Sequence, residues 1–145
     1  MYRHILIPTD GSPLSEMAVR QGIAFARSVG AKVTALTVSA PFHILAIDPV
    51  MVTDTPEHYE RHCAARAEKF LGVVRVAAKD AAVPCETLHV VAEHPYEAII
   101  NAASEKGCDL IFMASHGRKG MSALILGSET VKVLTHSKIP VLVSR

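Results

Sequence analysis

Five short apolar runs, each separated from the next by a stretch with helical periodicity, constrain this 145-residue chain more than anything else in it. The runs are Ile5–Ile7, Val33–Val38, Thr87–Val91, Leu110–Ala114 and Pro140–Ser144. The first and fourth are almost continuously apolar. Strands covered on both faces read that way, and such strands belong to parallel sheets flanked by helices. The implied order is β-α-β-α-β-α-β-α-β. Right-handed crossovers turn it into a doubly wound α/β fold with five parallel strands.

The intervening stretches carry helix signals. Ser12-Pro13 reads as an N-cap followed by proline in the first turn, and Gly30 as the end. Leu14, Met17, Ala18, Phe25 and Ser28 are expected to face inward. Thr55-Pro56 opens the longest helix in the same way. Its apolar stripe is Ala67, Phe70, Leu71, Val74, Ala77, Ala78 and Ala81, and Pro84 stops it. His94-Pro95 starts a third helix with Tyr96, Ile99, Ile100 and Ala103 inward, closed by Gly107. Ser128 is expected to cap a fourth that ends near His136-Ser137. The longest irregular stretch, Ser39–Asp54, is rich enough in apolar residues to pack as a lid or a partner surface. Neither a linker nor a repeat divides the chain, so residues 1–145 are expected to form one domain.

Composition excludes several classes. The formal net charge is +1, so no global basic field points to nucleic acid. Three cysteines, Cys63, Cys85 and Cys108, are widely spaced and odd in number, which disfavours a disulfide framework and favours a reducing compartment. The apolar run near the N-terminus is too short for a signal peptide. No stretch approaches the roughly 20 apolar residues that span a bilayer. The expected location is the cytoplasm, with no membrane partner.

In an open parallel sheet, ligands bind beyond the carboxyl ends of the strands, where the chain order reverses. For the strand order 3-2-1-4-5, that crevice lies between strands 1 and 4. Two unusual segments would meet there: Pro8-Thr9-Asp10-Gly11-Ser12 and Ala114-Ser115-His116-Gly117-Arg118-Lys119-Gly120. The second leads to Gly127-Ser128 at the start of the last helix, where free N–H groups favour an anion. Ser128 could cap that helix or donate to a phosphate. Arg118 and Lys119 add positive charge. Asp10 could accept from an adenine amino group or a ribose hydroxyl, or help to hold a metal.

These segments also carry a family resemblance. The opening Ile5–Ser12 and the closing stretch from Ser115-His116-Gly117 through Leu126-Gly127-Ser128 to Val143 resemble the universal stress proteins, and the likeness runs from end to end. The ATP-binding branch of that family has Gly, two residues, Gly, nine residues, then Gly with Ser or Thr. Here nine residues separate Gly117 from Gly127 and Ser128 follows, but Ala114 stands at the first glycine position.

The resemblance implies an adenine nucleotide alpha-hydrolase-like fold holding ATP, with magnesium or manganese. It implies that Asp10 and the backbone of Val38 hold adenine, with Pro8 and Thr9 lining the pocket. Met113, Ala114 and Gly117 would flank ribose and phosphates, and Gly127, Ser128 and Glu129 would meet the phosphates, near Arg118. It also implies a homodimer, for which the Val141-Leu142-Val143 strand is the expected pairing element. The likeness points to a regulatory module with at most slow hydrolysis. Alternatives are a dimer of the same family that binds no nucleotide, and a hydrolase of the wider group. Pyrophosphatases of that group carry Ser-Gly-Gly-x-Asp-Ser after strand 1, where this chain has Thr9-Asp10-Gly11-Ser12.

Other motifs read more plainly. No Gly-x-Ser-x-Gly elbow surrounds Ser12, so it reads as a cap rather than a nucleophile. His58 and His62 are four apart with Cys63 adjacent, a spacing that usually marks a solvated helix face unless a third ligand is supplied. His116 reads as a loop hydrogen-bonder.

Overall fold

The computed structural model describes residues 1–42, 55–117 and 125–145. Five parallel strands form one sheet: β1 (His4–Pro8), β2 (Lys32–Ser39), β3 (Cys85–Val91), β4 (Leu110–Ala114) and β5 (Val141–Ser144). Their order is β3-β2-β1-β4-β5, so the expected doubly wound topology is what the chain adopts. Among the described residues there are four helices: α1 (Pro13–Val29), α2 (Pro56–Asp80), α3 (Pro95–Glu105) and α4 (Ser128–His136).

Each face of the sheet has its own core, because alternate strand residues point to opposite sides. Ile5, Ile7, Val33, Ala35, Leu110 and Phe112 pack against Val19, Ile23, Leu71 and Val74 from α1 and α2. On the other face Leu6, Leu36, Ile111 and Met113 pack against Ile99, Ala102 and Ala103 of α3 and Val133 of α4. Leu6, Ile7 and Leu36 are fully enclosed, as a strand covered on both faces must be.

The caps follow local chemistry. Ser12 Oγ accepts from Ser15 N at 3.2 Å, and Thr55 Oγ1 accepts from His58 N at 3.2 Å. Gly30 and Gly107 end α1 and α3 at φ of 70° and 69°, the left-handed turn that glycine adopts without strain.

Some expectations need correction. The buried stripe of α1 is Ser15, Ala18, Val19, Gly22, Ile23 and Ala26, whereas Met17 is 43 % exposed and Ser28 lies on the outer face. Four of its six residues are small, and at Gly22 an added Cβ would come within 2.7 Å of Ile7 Cδ1. α2 ends at Asp80, ahead of Pro84, in a turn where Ala82 takes φ of 56°. β3 begins at Cys85, two residues before the apolar run. Most of the irregular stretch expected at Ser39–Asp54 lies outside the described residues; Ser39 itself closes β2.

Candidate functional site

A single main-chain detail opens the crevice. Odd-numbered residues at the ends of β1 turn their main-chain groups toward β2: Arg3 O accepts from Lys32 N at 3.0 Å, and Thr9 N donates to Leu36 O at 2.8 Å. Even-numbered residues face β4, as when His4 O accepts from Asp109 N at 2.9 Å. Pro8 has no N–H, so it withdraws a donor on the β4 side. The β1–β4 ladder ends at the Leu6–Ile111 pair, while β4 continues to Ala114. β2 likewise outruns the Pro8–Leu36 pair, adding Thr37, Val38 and Ser39, which pair with β3. Both neighbours of the central strand β1 thus run on past its end, and a notch lies above its tip.

The loop leaving that tip is tightly wound. Thr9 Oγ1 and Ser15 Oγ are 2.6 Å apart, Asp10 N donates to Ser15 Oγ at 3.2 Å, and Thr37 Oγ1 donates to Thr9 O at 2.9 Å. Asp10 Oδ1 accepts from Ser12 N at 3.0 Å, which turns the chain into α1. Gly11 follows at φ of 77°.

The second arm rises from β4. Ser115 is buried, and its N–H donates to Ser144 O at 2.8 Å. Its Oγ lies 3.2 Å from His116 Nδ1, so this histidine does bond within the loop. Gly127 N donates to Ser115 O at 2.8 Å, which brings the start of α4 onto the β4 tip. Thr130 Oγ1 donates to Ala114 O at 3.0 Å and locks the same junction from inside.

The two arms meet. A Cβ built on Gly117 would collide with Asp10 Oδ2 and lie 3.3 Å from Asp10 Cγ. A Cβ on Gly127 would lie 2.8 Å from His116 Cβ and 3.4 Å from Ser115 O. Gly127 is therefore required by close approach to backbone, whereas a side chain at Gly117 would have to push the Asp10 carboxylate aside. Gly127, not Ser128, is the N-cap of α4, and no side chain caps the helix. The N–H groups of Ser128, Glu129 and Thr130, in the first turn, are those the helix itself leaves without partners. They fit an anion better than any other group.

The remaining expected residues are placed as follows. Met113 and Ala114 are buried at the β4 tip on opposite faces, and the Ala114 methyl belongs to the core under α1. Val38 lies on the β2 overhang. Glu129 sits at the mouth of α4, but its Oε2 accepts from Tyr96 N at 2.9 Å and its Oε1 is 3.5 Å from Lys132 Nζ. Its carboxylate thus bonds the start of α3. Arg118, with Lys119 and Gly120, lies outside the described residues. On α2, Cys63 turns inward while His58 and His62 are exposed, so the three do not converge. Among the described residues no group of three His, Cys, Asp or Glu side chains could hold a metal ion. No described helix is long and apolar enough to cross a membrane.

Sequence reading missed Thr130 and Ser15, which lock the two arms, and Phe70, against which Gly11 packs. Ser15 carried a signal, since it lies three residues beyond the cap at Ser12. Phe70 carried none beyond its place in an apolar stripe.

The Universal stress protein family profile matches residues 1–145. The chain belongs to the universal stress protein family. Universal stress protein YxiE of Bacillus subtilis (strain 168) is 29% identical over 149 residues, covering 100% of both chains. The solved structure of MJ0577, a universal stress protein of Methanocaldococcus jannaschii, has a TM-score of 0.82 at 29% identity, covering 99% of this chain and 95% of that one. A universal stress protein solved in complex with cAMP has a TM-score of 0.68 at 25% identity, covering 99% of this chain and 97% of that one. This universal stress protein therefore has relatives along its whole length, and one neighbour of the same fold holds an adenine nucleotide.

Proposed function

We propose that this universal stress protein holds ATP, with magnesium or manganese, in the notch above β1 and acts as a cytoplasmic, nucleotide-dependent regulatory module. One observation carries the reading: the Asp10 carboxylate abuts Gly117 so closely that an added side chain there would have to displace it. An acceptor for adenine or ribose and a loop leading to a helix mouth thus share one crevice. The residues fit the ligand in chemistry as well. Asp10 and the Val38 main chain supply polar groups for the base or sugar, and the first-turn N–H groups of α4 suit phosphate oxygens. Bound ATP would supply the charge that orders the phosphate end. Hydrolysis is at most slow, since the nearest acid on α4, Glu129, is engaged with Tyr96 N. The cAMP complex of a family neighbour supports an adenine nucleotide as the ligand class.

The same protein is proposed to pair as a homodimer through β5. That strand ends the sheet, and Val141, Leu142 and Val143 are only half-buried on it. An apolar edge of this kind needs covering.

Titration calorimetry with ATP and magnesium, repeated with manganese, tests the nucleotide reading. Saturable heat is expected from the native protein and none from Gly117→Val, whose side chain would displace Asp10. Absence of heat from the native protein with both metals would sink it.

A further inference from the structure

We propose that one face of α2 sets the base specificity of this site, with Tyr59 and Phe70 as positioning residues that fix the Val38 main chain relative to the Asp10 carboxylate. The inference rests on the nucleotide reading above. Tyr59 is buried, and its Oη donates to Ala40 O at 2.7 Å, two residues beyond Val38. Its ring also lies 5.4 Å from that of Phe42. One helix face thus grips the β2 overhang as it leaves the sheet.

Three turns further along α2, Phe70 supports the other wall. A Cβ on Gly11 would collide with the Phe70 ring, 2.6 Å from Cζ, so the loop lies directly against that ring. The Arg66 guanidinium lies 5.8 Å from the centre of that ring, on the same helix. Gly11 follows Asp10 directly, so the height at which it rests on Phe70 sets where the carboxylate points. Asp10 Oδ1 is already held by Ser12 N, which leaves the loop little room to re-aim by itself.

Adenine presents an amino donor where guanine presents a carbonyl acceptor. A fixed carboxylate and a fixed main-chain edge favour the first and repel the second only while their separation is held. A site built around hydrogen bonds discriminates strongly, and it loses that discrimination when its groups drift.

The test measures ATP and GTP dissociation constants with magnesium for the native protein, Phe70→Leu and Tyr59→Phe, together with the Tm of each. Both variants are expected to weaken ATP more than GTP and to cut the ATP-over-GTP preference by about tenfold. An unchanged preference in folded variants overturns the inference. So does an equal loss for both nucleotides, which would mark a general structural role. If Phe70→Leu fails to fold, Tyr59→Phe, which removes one hydroxyl, decides alone. A native protein that binds no ATP instead removes the nucleotide reading on which the inference rests.

Discussion

Glu129 reaches from the first turn of α4 to the start of α3, where its carboxylate accepts the main-chain N–H of Tyr96 at 2.9 Å. His94, the N-cap of α3, makes no capping bond through its own side chain, so Glu129 supplies the cap from another helix. That N-terminus carries partial positive charge, and Lys132 Nζ lies 3.5 Å from the other carboxylate oxygen. The acid is thereby offset next to a helix mouth suited to anions. Glu129→Gln, which keeps an acceptor for Tyr96 N, is expected to tighten ATP by about threefold through loss of a screened like charge. Glu129→Ala removes the cap and is expected to cost about 1 kcal/mol in chemical denaturation. Weaker magnesium-dependent binding in Glu129→Gln would place the carboxylate on the metal instead.

Ala114 occupies a position where the ATP-binding branch has glycine, yet its methyl is in the core with Ile5, Ile7 and Phe112. Packed there, it is expected not to obstruct the notch. Ala114→Gly is therefore expected to leave ATP affinity unchanged and to lower stability by about 1–2 kcal/mol, from added backbone freedom and a lost buried methyl. Parallel calorimetry and denaturant melts check both halves. A large gain in affinity would show that the methyl does crowd the ligand.

Strand count, strand order and four of the caps were legible because each rests on local chemistry that nothing overrides. Apolar runs of strand length, Ser12 and Thr55 before proline, and Gly30 and Gly107 after the last turn all mean in the fold what they mean in the sequence. The face of α1 was not legible, since Ser15, Gly22 and Ala26 are buried for their small size and hydropathy does not single them out. The meeting of Asp10 with Gly117 followed from topology plus spacing. The destination of the Glu129 side chain did not, because its partner Tyr96 belongs to a helix whose relation to α4 only the packing defines.

A polar chain running from buried His4 and Thr34 to exposed Glu86, at the opposite end of the sheet, makes stability depend on pH. His4 Nε2 lies 2.7 Å from Thr34 Oγ1, which donates to Glu86 Oε1 at 2.9 Å. The Thr34 proton is committed to Glu86, so His4 Nε2 carries its own. Burial holds the His4 imidazole below its usual pKa, with Lys32 adding repulsion, while Glu86 and Asp109 oppose them. The unfolded chain then takes up the proton first, so stability falls as pH drops through the ordinary imidazole range, and the loss is complete below the depressed folded value. His89, also lowered by burial, adds a loss of the same sign. Melting between pH 8 and pH 5 is expected to show this decline, with a shallower slope in His4→Gln. Equal slopes would acquit His4. Glu86, lowered by the Thr34 hydroxyl, contributes a separate loss only at more acid pH.

Ala82 offers the opposite kind of test, a gain. It takes φ of 56° just after α2, while Ala82 N donates to Lys79 O at 3.0 Å and Val83 N to Ala78 O at 2.8 Å. This is the same pair of reverse bonds that Gly30 and Ala31 make after α1 and Gly107 and Cys108 after α3. Only here does a residue with a Cβ occupy the left-handed position, which costs an L-residue roughly 1–2 kcal/mol. Ala82 is exposed, so its methyl stabilises little by burial. Against this stands the extra freedom that glycine gives the unfolded chain, about 0.4–1 kcal/mol. Ala82→Gly is therefore expected to stabilise the protein by about 0.5–1 kcal/mol, the difference between the two. The gain should appear as a higher denaturant midpoint at unchanged m-value, with ATP affinity untouched because α2 ends at the pole of the sheet away from the notch. A lower midpoint would mean that the unfolded-chain entropy outweighs the strain at this turn.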